Sequence, residues 1–173
     1  QWKESVGIRT DAKPTLKGGP LIGDYVFEQM HFHWSVDDFT GCEHVLNGQG
    51  YAAECHLVHY NSKYNSMEAA VGYPDGLAVV GFLLKVISAH NPKFDKLIEG
   101  LEMQSIKIVQ RSSYVTYKGS LTTPPYTECV TWIIYEKPVS IGLLTKLDSF
   151  ILYLELTNQE NKVTSPFTVA TEP

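Results

Sequence analysis

Short runs of apolar, β-branched and aromatic positions, bounded by polar turn residues, recur in five stretches of the chain, and each run predicts a strand. The stretches are 24–34, 51–60, 77–87, 113–118 and 128–136, rich in Val, Ile, Tyr, Phe and Thr. Turn residues separate them: Lys17-Gly18-Gly19-Pro20, Asn47-Gly48-Gln49-Gly50, Tyr73-Pro74-Asp75-Gly76 and Thr123-Pro124-Pro125. Two segments carry the helical period instead. Asn91 can cap a helix with Pro92 at its first position, followed by Phe94, Leu97, Ile98 and Leu101 on one side. Ser140 can cap a second, with Leu143, Leu144, Leu147 and Ile151 on one side. The pattern predicts a strand-dominated α+β domain with peripheral helices.

Composition narrows what such a domain can do. Its 173 residues suffice for one domain with a core, and 43 % apolar against 19 % charged residues favours a folded globule over disorder. The net charge is −5 without a Lys/Arg run, which argues against a nucleic-acid partner. No apolar stretch approaches the roughly 20 residues that span a bilayer. The first residues lack the apolar core of a signal peptide, and no Met starts the chain, which leaves room for a segment upstream. Cys42, Cys55 and Cys129 are odd in number and without C-x-x-C spacing, so they read as free thiols in a reducing compartment.

The chemistry concentrates in two strands. In Gln29-Met30-His31-Phe32-His33-Trp34, strand alternation points His31 and His33 to one face, with Cα atoms roughly 6.6 Å apart. In Glu54-Cys55-His56-Leu57-Val58-His59-Tyr60, the residues Glu54, His56 and Val58 share a face. The polar stretch 35–50 suits a connection between antiparallel neighbours, which would bring His56 beside the other two. Three neutral imidazoles leave a fourth tetrahedral position open, the arrangement of a catalytic rather than a structural zinc. Gln29 and Glu54 are placed to accept the ligands' other N–H groups and so fix their tautomers. His59 falls on the opposite face and reads as a core histidine; His90 reads as a solvated turn residue.

Several runs in order resemble the α-class carbonic anhydrases: Lys17-Gly-Gly-Pro-Leu21, Gln29-Met-His-Phe-His-Trp34, Glu43-His44, Tyr51 to Tyr60, Pro74 to Gly81, Tyr117 to Pro125, and Glu128-Cys-Val-Thr-Trp132. The resemblance implies a central, twisted, mainly antiparallel sheet with Zn²⁺ at the bottom of a conical cleft. It implies reversible hydration of carbon dioxide to bicarbonate and a proton, with inhibition by sulfonamides or anions. By position it makes His31, His33 and His56 the metal ligands, with Gln29 and Glu54 behind them. Thr122 would accept a hydrogen bond from the attacking hydroxide and donate its own to Glu43. Val58, Val79, Leu121, Val130 and Trp132 would wall an apolar substrate pocket, with Thr123 on its polar side and His44 and Tyr117 bracing the floor.

The chain also departs from that pattern. Gln1 falls about where many members carry a proton-shuttle histidine, 106–113 is shorter than usual, and the match fades after Leu147. The reading is therefore a single, shortened domain over 1–173, whose uncovered faces and sheet edges leave room for self-association. A fragment of a longer enzyme, a short form and a slow or inactive relative all stay open. Secreted relatives place a cysteine just after the Thr-Thr-Pro-Pro run, where this chain has Tyr126, so the resemblance implies a cytoplasmic type. Two competing functions are a carbonic-anhydrase-related interaction protein with weak or no activity, and a cupin-like iron or manganese site. The three retained histidines count against the first. The second lacks its later histidine.

Overall fold

The computed structural model describes residues 2–6, 13–35, 37–88 and 113–142, and for 2–6 only the course of the backbone. Seven strands form one sheet: β1 (Trp2–Val6), β2 (Thr15–Leu16), β3 (Tyr25–Trp34), β4 (Ala53–Asn61), β5 (Leu77–Ile87), β6 (Tyr114–Gly119) and β7 (Val130–Gly142). The order is β1-β3-β4-β5-β7-β6, with β2 also pairing β3. Every pairing is antiparallel except β5 with β7. A short 3₁₀ turn (Ser62–Tyr64) and a one-turn helix, α1 (Met67–Ala70), are the helical elements among the described residues. The sheet curls: a Cβ on Gly19, in the turn ahead of β3, would stand 3.0 Å from the Tyr114 hydroxyl on β6, at the far edge. The strand-dominated, mainly antiparallel architecture is the one the sequence predicts.

Alternation gives the sheet two differently built faces. On one, Tyr25, Phe27, Met30, Phe32, Ala53, Cys55, Leu57, Val80, Leu84 and Ile133 bury together as the main core. On the other, Val58, Leu77, Val79, Val130, Trp132 and Ile134 form a second cluster, on the side that carries the histidines. β3 changes phase on the way. Phe27 pairs with His59 and Gln29 with Val58, so Glu28 is an extra residue in a β-bulge. Odd positions before the bulge, Tyr25 and Phe27, therefore face the main core, whereas the odd positions His31 and His33 beyond it face the other way. Glu28 itself reaches outward to Lys13, Oε2 to Nζ at 2.7 Å.

β7 departs from the expectation at its end. Ser140 does not start a helix: it pairs with Lys85 in a strand that runs to Gly142. The cause is the ladder offered by β5 together with Ile141, which is buried in the main core and whose β-branched side chain suits a pleated surface. The strand passes Pro138, which has no N–H to give, through an irregularity where Phe82–Leu84 faces Tyr135–Val139. Residues 143–151 of that expected helix, the helix expected from Asn91, and His90 lie outside the described residues.

His59 is the core histidine the sequence predicts. It is buried edge-on to Phe27, with ring centroids 5.5 Å apart, and Nδ1 donates to the Leu57 carbonyl at 3.0 Å. Burial pushes its pKa down from 6.5 to about 4, against hydrogen bonds at Leu57 and Ala78 that pull the other way. The folded value lies below the unfolded one, so the unfolded chain binds more protons between them. The stability tied to a neutral His59 is complete above pH 6.5 and is lost as pH falls from there through 4. The difference corresponds to roughly 3 kcal/mol. Urea unfolding at pH 7 and pH 4 should show wild type losing about that much more than His59→Leu; equal losses would show that His59 does not drive acid sensitivity.

Candidate metal centre

Three imidazoles converge where β3 meets β4. His31 pairs directly with His56 across the two strands, and His33 lies two residues along the same face. All three are buried, and their ring centroids stand 4.7 to 5.1 Å apart. One ligand nitrogen from each lies within 4.8 Å of the others, a group able to hold a metal ion.

Hydrogen bonds at the back of the rings choose which nitrogens face inward. Gln29 Oε1 lies 3.0 Å from His31 Nδ1, and Glu54 Oε1 lies 2.7 Å from His56 Nε2. Amide and carboxylate oxygens only accept here, so those ring nitrogens carry the protons. The remaining nitrogens, His31 Nε2 and His56 Nδ1, then face one another as lone pairs 3.2 Å apart. Two ligands of a tetrahedral zinc with bonds of about 2.0–2.1 Å would stand roughly 3.3 Å apart. The donor set and its spacing therefore fit such an ion. His33 Nδ1 lies 3.3 Å from Glu43 Oε1, which leaves its Nε2 as the inward nitrogen.

Glu54 is the hub of the floor. Its carboxylate is fully buried and accepts from the backbone N–H of Glu43 (2.9 Å) and His44 (2.8 Å), from His44 Nδ1 (2.6 Å) and from His56 Nε2. Burial alone would raise its pKa. The hydrogen bonds from His44 and His56 outweigh burial and hold it at about 2, so it is ionised throughout the neutral range. Beyond it, His44 Nε2 accepts from the Tyr117 hydroxyl at 2.6 Å. Burial first, and then the negative Glu54 and Glu43, push the Tyr117 pKa up to about 12, which keeps that hydroxyl a donor.

Two glycines make this packing possible. Gly41 lets the 35–50 connection cross the start of β4, because a Cβ there would stand 1.8 Å from the Ala52 carbonyl oxygen. That crossing brings the N–H groups of residues 43 and 44 onto Glu54. Gly81 pairs with His56, and a Cβ there would meet Ile134 Cδ1 at 2.6 Å and Glu54 Oε1 at 3.1 Å. Gly81→Ala should cost about 1–3 kcal/mol by overpacking beneath the histidines. Thermal unfolding measures it, and an unchanged midpoint would mean that Ile134 swings aside freely.

The structure gathers most of the site residues read from sequence. Val58, Val79, Val130 and Trp132 share the second cluster, with Leu121 packed against it. Thr122 and Thr123 lie in the turn between β6 and β7, Thr122 exposed and Thr123 half-buried. Among the described residues no hydrogen bond joins Thr122 to Glu43, whose carboxylate lies beside His33. Sequence reasoning missed that contact, the double use of Glu54 by His44 and His56, and the role of Gly81. Only the presence of an acid and a glycine in strand runs hinted at the last two. The cysteines are free, Cys55 and Cys129 buried and Cys42 half-buried. Among the described residues no helix is long and apolar enough to cross a membrane.

A curled, mainly antiparallel sheet brings three histidines together on one face, in a group that could hold a metal ion. The model of the eukaryotic-type carbonic anhydrases matches residues 3–167, and the chain belongs to that family. It is 42 % identical over 145 residues to carbonic anhydrase 1 of Monodelphis domestica, covering 75 % of this chain and 55 % of the relative. It is 40 % identical over 141 residues to carbonic anhydrase 3 of Sus scrofa, covering 73 % and 54 %. The chain thus spans about half the length of the curated relatives it matches. The resemblance read from sequence is borne out at the level of the family.

Proposed function

We propose that this chain holds one Zn²⁺ on His31, His33 and His56 and catalyses the reversible hydration of carbon dioxide to bicarbonate and a proton. The observation that carries the reading is the pair of deprotonated ring nitrogens facing each other at 3.2 Å with their tautomers fixed from behind. When bound, zinc supplies hydroxide at neutral pH by lowering the pKa of water to about 7, a figure established on carbonic anhydrase itself and general to such zinc sites. The protein's part is to shape and dry the site. Val58, Val79, Leu121, Val130 and Trp132 offer an apolar wall suited to a small, uncharged substrate. Gln29 and Glu54 keep His31 and His56 in one tautomer and orientation. Thr122, once its hydroxyl donates to Glu43, has only its oxygen lone pairs left to offer, so it orders an attacking O–H by accepting from it. Thr123 lies on the polar side, and His44 and Tyr117 hold Glu54 from below. Sulfonamides and small anions are the expected inhibitors, and three free thiols fit a cytoplasmic setting.

Metal analysis after zinc loading, followed by stopped-flow CO₂ hydration, tests this. One zinc per chain with hydration above background is expected. A chain that takes up no zinc ends the reading. The exposure of Thr122, with no hydrogen bond to Glu43 among the described residues, favours a second reading as a zinc-binding interaction protein without turnover. Stoichiometric zinc with background hydration at every buffer concentration would decide for it.

A further inference from the structure

Trp132 joins two parts of the site that lie apart in sequence. Its buried ring packs against His44 and His56, with centroids 4.8 and 4.9 Å away, and stacks on Tyr117 at 6.3 Å and 12°. Its Nε1 donates to the Ser120 carbonyl at 3.1 Å. Indole offers one donor and no acceptor, so this bond uses all the polar capacity the side chain has. Gly119 allows the approach: a Cβ there would stand 2.8 Å from Tyr117 Cε2 and 3.1 Å from Trp132 Cδ1. Past Ser120, three backbone hydrogen bonds run within the β6–β7 connection, Leu121 N to Thr127 O at 3.0 Å, Tyr126 N to Thr123 O at 2.9 Å and Cys129 N to Thr127 O at 3.0 Å, and at its far end the Cys129 carbonyl accepts from Leu77 N of β5 at 2.9 Å. The indole bond fastens the near end of that loop, ahead of Thr122 and Thr123, to the sheet beneath the histidines, beside the apolar contact of Leu121; the Cys129 bond holds the far end.

We infer that Trp132 is a positioning residue whose indole N–H sets where the Thr122–Thr123 segment stands relative to His31, His33 and His56. The catalytic importance of that segment rests on the function proposed above; the tether itself does not. Loosening the tether changes the loop first and leaves the histidines in place, because the ring contacts with His44 and His56 do not depend on the N–H that bonds Ser120.

Trp132→Phe keeps an aromatic face and removes the N–H. Amide hydrogen exchange on the full chain, metal-free and zinc-loaded, should show Leu121 and Tyr126 exchanging about tenfold faster, the effect of one lost buried hydrogen bond. The amides of His31 and His56 should keep their protection, and zinc stoichiometry should not change. In the hydration assay kcat should fall about tenfold with KM little altered, since binding in the apolar pocket survives. Wild-type exchange at Leu121 and Tyr126 overturns the inference. So does an equal acceleration along β4, which would make Trp132 a packing residue only. Should Trp132→Phe fail to fold, Gly119→Ala sets a methyl against Trp132 Cδ1 and Nε1 and pushes the indole edge off the Ser120 carbonyl. It should speed exchange at the same two amides, and no change there overturns the inference as well. An inactive wild-type chain would sink the proposed enzyme and leave the exchange result to judge the tether.

Discussion

His56→Ala should strip the chain of stoichiometric zinc and abolish CO₂ hydration while leaving the sheet folded. His56 supplies Nδ1 to the cluster from the centre of β4, and His31 Nε2 stands only 3.2 Å from it. Two donors cannot close a tetrahedral site that needs three protein ligands. Partners that merely orient a ligand typically cost 10–100-fold in metal affinity, so loss of the ligand itself should exceed about a hundredfold. The fold should survive because Glu54 keeps its bonds from His44 and from the two backbone N–H groups. Chelator competition with elemental analysis reads the affinity, and circular dichroism reads the fold. Wild-type zinc affinity in this variant would remove His56 from the coordinating set.

Glu54→Gln is expected to damage both stability and metal binding, although it changes shape hardly at all. The buried carboxylate accepts four hydrogen bonds and donates none. An amide turns one of its two oxygens into an NH₂ group, so either the backbone pair at Glu43 and His44 or the two imidazoles must meet a donor with a donor. Breaking a buried charged network from one side costs about 3–5 kcal/mol, and the lower end applies where one acceptor remains. If the NH₂ turns toward His56, that ring's tautomer reverses and its Nδ1 becomes protonated. Zinc affinity should fall 10–100-fold, less than for His56→Ala. Urea unfolding of the metal-free chain separates the stability cost from the metal cost. A variant within about 0.5 kcal/mol of wild type would show that solvent or a shifted backbone satisfies the network.

The strands were legible as short β-branched and aromatic runs bounded by turn residues, the composition of strands buried on both faces, and the pleat sends their successive side chains to opposite sides. β5 has the bounds its apolar run predicts, 77–87. The meeting of residues 31, 33 and 56 was legible for the same reason, since H-x-H fixes one face and a polar connection of moderate length fixes the neighbour. The bulge was not legible. Tyr25, Phe27, Gln29 and His31 read as one uninterrupted face, and nothing local distinguishes Glu28 as the extra residue. Ser140 misled because a capping residue ahead of spaced leucines is a good helix start in isolation, whereas β5 supplies a ladder that only the tertiary fold reveals. β1 and β2 escaped notice because β2 is two residues long and β1 begins at the second residue of the chain. The floor beneath the histidines depends on Gly41 and Gly81 admitting close backbone and side-chain approaches, which is information about neighbours rather than about spacing.

The extra residue at Glu28 acts as a reading-frame device for the sheet. Losing or gaining one residue between Tyr25 and Gln29 would have to invert one half of β3, sending either the histidines into the oily side or Tyr25 and Phe27 out of it. A change of two residues would keep both halves upright. This part of the family's sequence space should therefore admit length changes only in pairs, a constraint imposed on evolution by the geometry of a pleat.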